Sequence, residues 1–326
     1  MDRRKITYQL YPTAKQAELL AELLRQHKDL WNAALQERIE AWRKAGKSIS
    51  YADQCASLTQ IRGELPDDWA IMNCSSQQIT LRRLNKAFQN FFRRVAQGQT
   101  PGFPRFKSLR RMPGFGYKGH GDGWRFTPAI VQRKGKECWQ HGTLRLQGVG
   151  MIKARGMARQ GGKIKSCELL HRHGEWHLSL TVECAMIERE GGNLAVAADW
   201  GTKTLLSLVK SDGTTEAIEN PRWFKAGQQR QIALDRAITR KKRGSNGWRR
   251  AKKVSARFKA QVARRRLDHH HQLSARIAKE AAIFATEDLQ IKTLTASAAG
   301  TLEAPGKNVA AKSGLNEKCW TPRQRS

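Results

Sequence analysis

The spacing of apolar positions changes period several times along the 326 residues, and each change predicts an element. Ile6 to Tyr11 alternate as a short strand, and Pro12 ends it. Thr13 followed by Gln16 forms a capping box that opens a long helix. Along it Leu20, Leu24, Leu30, Trp31, Leu35, Ile39 and Trp42 recur at helical spacing and predict one buried face. A second helix is predicted from about Ser75, with Gln78 completing another capping box and Leu84, Phe88, Phe91, Phe92 and Val95 forming its apolar stripe. The plainest reading of both stripes is a small helical bundle. Arg82, Arg83, Lys86, Arg93 and Arg94 crowd the other faces of the second helix, without acids at the spacing that would pair them along it.

Gly98 to Phe106 (GQTPGFPRF) is rich in turn residues, and from there to Glu183 the period falls to two. Runs at 143–146, 163–170 and 176–183 predict strands, and Trp176, Leu178, Leu180 and Val182, alternating with polar residues, predict a half-buried antiparallel one. Glu188 to Asn193 (EREGGN) reads as a linker. Leu194 to Ala198 and Leu205 to Val209 predict two further strands, with Ser211-Asp212-Gly213 turning into a third. A long helical tract follows from Trp223 to Ala281, dense in Lys and Arg and interrupted at Gly244 to Gly247, and Ile283 to Thr286 predicts a final buried strand. Beyond Leu294 the chain is rich in Ala, Ser, Gly and Pro, so residues 295–326 are expected to be mostly disordered.

Charge narrows the function classes. Sixty Lys and Arg against 28 Asp and Glu give a formal net charge of +32, which repels itself unless an anionic partner neutralises it. No run of about 18 apolar residues is present, and Met1-Asp2-Arg3-Arg4-Lys5 leads into a strand, so membrane and secretion are poor readings and nucleic acid is the expected partner. Cys55, Cys74, Cys138, Cys167, Cys184 and Cys319 contain no CxxC pair; no zinc is expected, and the scattered thiols read as reduced, mostly buried small residues.

Two acids stand where chemistry is plausible. Asp199 ends an apolar strand just before Gly201, and Glu287 ends the strand at 283–286. In a three-strand, helix, strand arrangement the first and fourth strands can be neighbours, which would bring both carboxylates together. Such a pair either repels or shares a divalent cation, and Mg2+ is the usual one beside a scissile phosphate. An Asp next to a glycine turn is by itself more often a turn cap. His269, His270 and His271 are consecutive in a helix, point in different directions and cannot form one tetrahedral site. The cations Arg240, Lys241, Lys242, Arg243, Arg249, Arg250, Lys252, Lys253, Arg264, Arg265 and Arg266 lack interleaved acids and are expected to meet phosphates. Trp124, Trp139, Trp223 and Trp248 stand beside basic residues where they would stack on bases, although each singly is more often a packing residue.

Many segments occur here in one order: YPT after a basic strand, SSQQITLRRLNKAFQNFFRRVAQGQTPGFPRFKS, GGKIKS, DWGTKTLLSL, NPRWF, ITRKKRGSNGWRRAKK, RRRLDHHHQLS and ATEDLQIKTL. This series resembles the TnpB proteins of insertion sequences, relatives of the type V CRISPR effectors, over nearly the whole chain to about Asn316. The resemblance implies an α/β multi-domain protein. A wedge-type β-barrel (1–12 and 99–188) would carry an inserted helical recognition bundle (13–98), followed by a truncated RNase H-like RuvC domain (189–294). It implies an RNA-guided DNA endonuclease with Asp199 and Glu287 as its first two catalytic acids. Guide-RNA contacts are then expected around Arg105, Lys107, Lys163 and Lys165. Tyr51 and Gln77 would read a short DNA motif beside the target, with Arg82, Arg83 and Lys86 near them, and Arg222 and Trp223 of the NPRWF segment would also meet nucleic acid.

The departures shape the expectation. The family continues past a GLN motif, here Gly314-Leu315-Asn316, into a CxxC…CxxC zinc module and a third catalytic Asp; residues 317–326 contain neither, and Asp288, Glu303 and Glu317 do not stand in the third acid's place. Asp288 is expected to point away from Glu287, since neighbouring strand residues face opposite sides. The sequence therefore predicts a nuclease that is inactive or severely impaired, with Mg2+ at most at a residual site. It would be a guide-RNA-carrying protein, one chain per guide, that occupies double-stranded DNA as a repressor in the bacterial cytoplasm and on the nucleoid. An active Mg-dependent, transposition-linked endonuclease is the alternative. The third reading is a remnant that binds RNA nonspecifically.

Overall fold

A computed structural model describes residues 2–65, 71–133, 135–186, 191–201 and 203–289, with positions 298, 307 and 309 besides. The GLN motif and most of the expected tail lie outside them. The chain divides into two compact units, Met1–Met186 and Ile187–Ser326. No helix among the described residues is long and apolar enough to cross a membrane.

In the first unit β1 (Asp2–Tyr11) is followed by α1 (Ala14–Ala45), α2 (Tyr51–Glu64) and α3 (Cys74–Ala96). Then come β2 (Gly114–Tyr117), β3 (Trp124–Arg133), β4 (Lys136–Leu146), β5 (Gly150–Ala158), β6 (Lys163–Arg172) and β7 (Glu175–Cys184). The strands form one antiparallel sheet in the order β2-β6-β7-β1-β5-β4-β3. The expected closed barrel is seen here as an open sheet: among the described residues no ladder joins β2 to β3. The reason lies at the short β2, where Arg83 of α3 donates to the Gly114 carbonyl at 2.9 Å and His27 of α1 stacks on Phe115 at 4.8 Å, so helices cover this edge.

The sheet is nevertheless strongly curled. Tyr8 on β1 and Phe126 on β3 are separated by two intervening strands, roughly 14 Å apart in a flat sheet, yet their ring centroids lie 4.8 Å apart. A bulge between Gln140 and Gly142, with His141 at φ 57°, bends β4. Gly142 permits the close approach, since a Cβ there would sit 2.5 Å from the Phe126 ring and 2.7 Å from the Thr127 carbonyl oxygen. One apolar core fills the curl and continues into the helices, with Leu20, Leu23, Leu35, Leu81 and Leu84 joining Tyr8, Phe115, Phe126, Leu144 and Leu178.

Helix boundaries follow their caps. The Thr13–Gln16 capping box is present, and Gly46 closes α1 in the left-handed region at φ 61°. Ser50 and Asp53 make a second capping box that starts α2, an element the apolar spacing alone does not reveal because its stripe is weak. Asn73, two residues before the predicted start at Ser75, caps α3 by accepting from the Ser75 and Ser76 amides. Three predicted core positions of the helices are on the surface: Trp42 is 65% exposed, Phe92 61% and Val95 51%. All three lie in the outer turns of helices that extend past the shared core.

A polar knot ties α1, α3 and β2 together. His27 is fully buried, with Nδ1 2.8 Å from Thr80 Oγ1 and Nε2 3.0 Å from Ser76 Oγ. Burial, and secondarily the nearby Arg83 guanidinium, pushes its pKa down to about 3.

In the second unit β8 (Leu194–Trp200), β9 (Thr204–Lys210) and β10 (Thr215–Glu219) lead to α4 (Trp223–Thr239), α5 (Asn246–Glu280) and β11 (Ala281–Thr286). The sheet order is β10-β9-β8-β11, antiparallel except for the parallel β8–β11 pair. Val196, Ala198, Leu206 and Leu208 pack with Leu273 and Ile277 of α5. Lys210 donates to Glu280 at 2.6 Å and Arg276 pairs with Glu216 at 2.7 Å, fastening α5 across β9 and β10. β11, expected to be buried, is largely exposed, with Ile283 at 66%. It pairs on one side only, with β8, and the described residues leave its outer edge and one face uncovered.

Two outcomes follow. Because the folded pKa of His27 lies below its unfolded value near 6.5, its contribution is complete above that value and lost as pH falls. Chemical denaturation of the chain should show about 2 kcal/mol less stability at pH 5 than at pH 7 from this group, and a His27→Gln variant should lose that part of the pH dependence. Gly142→Ala should cost about 2 kcal/mol in the same assay, because the carbonyl of Thr127 cannot yield as a side chain would.

Candidate nucleic-acid interface and acid pair

The acid pair is built by strand register. β11 runs parallel to β8 with Ala285 opposite Ala197 and Thr286 opposite Ala198, so the next step sets Glu287 level with Asp199. Val196 and Ala198 face the α5 core, whereas Ala195, Ala197 and Asp199 are exposed. Alternation therefore puts Asp199 and Glu287 on the face away from α5, and Asp288 on the other. Trp200 Nε1 donates to Thr286 Oγ1 at 3.1 Å, a cross-strand tie on the α5 side that holds the two strand ends together. Both carboxylates are exposed. They have the oxygen chemistry that a hard divalent cation prefers, and Mg2+ is commonly held by one or two carboxylates plus water and substrate phosphate. Among the described residues no group of three or more His, Cys, Asp or Glu is arranged to hold a metal, and His269, His270 and His271 form no such site.

The helical hairpin that delivers β11 also carries the densest charge. Asp235 accepts from Ser255 at 3.1 Å, and Gln231 donates to Ser255 at 3.0 Å, joining α4 to α5 near the turn. Beyond this knot the turn presents Arg240, Lys241, Lys242, Arg243, Arg249 and Arg250, all exposed and with no acid within ion-pair distance among the described residues. Arg264, Arg265 and Arg266 lie farther along α5, with Arg266 half-buried. Trp223 packs edge-on against His269 at 5.0 Å, a packing role, while Arg222 before it is exposed at φ 43°. Trp124 and Trp139 are core residues, and Lys252 lies over the Trp248 ring at 4.5 Å.

In the first unit the predicted contacts separate. Arg82 and Lys86 are exposed on α3, but Arg83 is engaged with Gly114 and with Glu168 at 2.6 Å. Gln77 is fully buried; its Oε1 accepts from Arg62 at 2.8 Å, so it offers no free polar group at the surface. Tyr51 starts α2 half-buried, its hydroxyl pKa raised by burial and by Cys55, with Arg82 opposing. The segment after α3 is strapped to α1: Asn32 exchanges two hydrogen bonds with the Lys107 backbone, at 2.8 and 2.9 Å, and Trp31 Nε1 donates to the Arg105 carbonyl. Lys107 Nζ lies 3.3 Å from the Trp31 ring centroid, and burial, with Arg83 nearby, brings its pKa down to about 8. Lys165 pairs with Glu183 at 2.8 Å, and Lys163 stands opposite the same acid in the ladder.

A curled antiparallel sheet sharing its core with three helices, and a mixed sheet with two acids at adjacent strand ends and a basic helical hairpin leading into its last strand, define an α/β protein whose excess of cations suits an anionic partner. A family model described as "Probable transposase" matches residues 178–298, and one described as "Helix-turn-helix domain", from the same OrfB group, matches residues 1–47. InsQ of Escherichia coli (strain K12), named for RNA-guided DNA endonuclease activity, is 28% identical over 95% of this chain and 72% of its own length. A Streptomyces pristinaespiralis protein named for the same activity is 26% identical over 90% of this chain and 68% of its own. A cryo-EM structure of a Cas12f1–sgRNA–target DNA complex covers 93% of this chain and 71% of that one at 13% identity, with a TM-score of 0.45. Two models of one OrfB group and two relatives named for RNA-guided DNA endonuclease activity support a TnpB-family protein.

Replacing Arg240, Lys241, Lys242 and Arg243 by Ala should weaken DNA binding at all sequences alike. The log-log salt slope should become shallower by about 0.9 for each duplex phosphate that is no longer neutralised, measured by fluorescence anisotropy.

Proposed function

We propose that this chain is an RNA-guided protein that binds double-stranded DNA, as the names of its two relatives suggest, and that it holds its target far better than it cuts it. The observation carrying the first part is the cationic hairpin turn with no internal acids to neutralise it, set on the same connection that brings Glu287 level with Asp199. Such a turn suits a phosphate backbone irrespective of sequence. The sequence of the target would be read by base pairing to the guide, with the protein sensing only a short adjacent motif.

The second part rests on the acid pair. Two exposed carboxylates with a substrate phosphate suffice for one Mg2+ in its usual coordination. When bound, such an ion would neutralise developing charge on the phosphate. Clamping both the attacking and the leaving oxygen takes two ions about 4 Å apart, and two carboxylates are a sparse ligand set for that. Asp199 and Glu287 are thus proposed as a residual cation site, and target occupancy, as in a repressor, as the main consequence of binding. No zinc role is proposed for this chain.

Purified ribonucleoprotein, incubated with Mg2+ and duplex matching its guide, should bind with guide-dependent affinity and leave the duplex largely intact. Rapid double-strand cleavage, abolished by Asp199→Ala with binding preserved, would establish the active endonuclease instead. Equal affinity for matched and mismatched duplex would sink the guided reading altogether.

A further inference from the structure

Asp199 and Glu287 stand level, but their two strand ends are held differently. Asp199 lies inside the β8–β9 ladder, opposite Ser207. The hairpin that follows it is tight, since a Cβ on Gly201 would sit 2.6 Å from the Thr204 carbonyl oxygen. Glu287 has no such frame. The β8–β11 ladder ends one residue before it, at Thr286 opposite Ala198, and among the described residues β11 pairs with no other strand. That ladder also shifts register once, between Ala281 and Ile283, so backbone pairing alone does not hold β11 in one register. A slip of one residue would turn Glu287 to the α5 face and bring Thr286 or Asp288 into its place, because side chains alternate with a period of two.

One side-chain bond crosses that gap, from Trp200 Nε1 to Thr286 Oγ1 at 3.1 Å. Thr286 precedes Glu287 and Trp200 follows Asp199, so the bond runs diagonally across the level of the two acids, on the opposite face of the sheet. The indole offers a single N–H and no acceptor, and the β-branched Thr286 holds its hydroxyl in few rotamers. Slipped by one residue, Thr286 would face the other side and the bond would be lost. We propose that the Trp200–Thr286 hydrogen bond is a register lock that sets Glu287, and not Asp288, beside Asp199, and that cation binding at the acid pair depends on it. Trp200 and Thr286 are thus positioning residues, acting from the far face without touching the ion. This rests on the cation-site reading above. Neighbouring strands lie about 4.8 Å apart, close enough for two level carboxylates to share one ion.

The test locates the ion on the full chain. Fe2+ stands in for Mg2+, and with ascorbate and peroxide it cuts the backbone beside the site that holds it. Wild type should give fragments ending near residues 199 and 287, and Asp199→Ala should give neither. Thr286→Val and Trp200→Phe should each raise the Fe2+ concentration for half-maximal cutting about tenfold, the scale for losing a group that orients a metal ligand. The double variant should lose no more than either single one, since both remove the same bond. Thr286→Ser keeps the hydroxyl and should restore most of the affinity, which separates loss of the bond from loss of the fold. Asp288→Asn should leave cutting unchanged in wild type but weaken it further in the Thr286→Val background, where β11 samples both registers. Equal half-maximal concentrations in wild type and both single variants overturn the lock, as does failure of Thr286→Ser to rescue. If wild type gives no fragments at these positions, the cation-site reading itself fails, independently of the variants, and the lock falls with it.

Discussion

Sixty cations share one chain with 28 acids, and where the few acids stand decides which surfaces are quiet and which need a partner. Glu168 and Glu183 answer the cations on one half of the large sheet, and Glu216 and Glu280 answer Lys210 and Arg276 across the smaller one. Each of these acids joins separate elements, so its pairing contributes to the fold as well as to local neutrality. The exposed cations of the α4–α5 turn, Arg240 to Arg243, have no acid within ion-pair distance among the described residues.

A second constraint couples structure to chemistry in the smaller unit. Parallel neighbours cannot be joined by a tight turn and need a long crossover. Between β8 and β11 the chain first adds β9 and β10 and then runs out and back along α4 and α5. That excursion is required to set Glu287 level with Asp199, and it is also the structure that presents Arg240 to Arg243. Backbone topology thereby places the densest cationic turn and the strand-end carboxylates on one continuous stretch of chain.

The large sheet is arranged by sterics more than by charge. Gly142 and the bulge at His141 let β3 and β4 fold over so that Phe126 reaches Tyr8, while α1 and α3 cover β2. The buried His27, shared by Thr80 and Ser76, fixes the two helices in register with each other. A hydrogen-bonded polar group in that position is satisfied in only one arrangement, which makes the packing specific.

Much of this was legible in the residues. The capping box at Thr13, the alternation in β7, the break at Gly244 to Gly247 and the order of elements around Asp199 and Glu287 are local patterns, and hydrogen-bonding chemistry and side-chain period fix them without reference to distant chain. The helix α2 was marked by Ser50 and Asp53 and was hidden only by its weak apolar stripe. What the tertiary structure alone decided concerns partners far apart in sequence. It buried Gln77 against Arg62 and Met72, exposed Trp42, Phe92 and β11, and, among the described residues, left β2 and β3 unjoined and paired Lys165 while leaving Arg240 to Arg243 without an ion pair. A run of letters shows how many charges there are; which of them are neutralised depends on which strands lie side by side, and only the folded chain determines that.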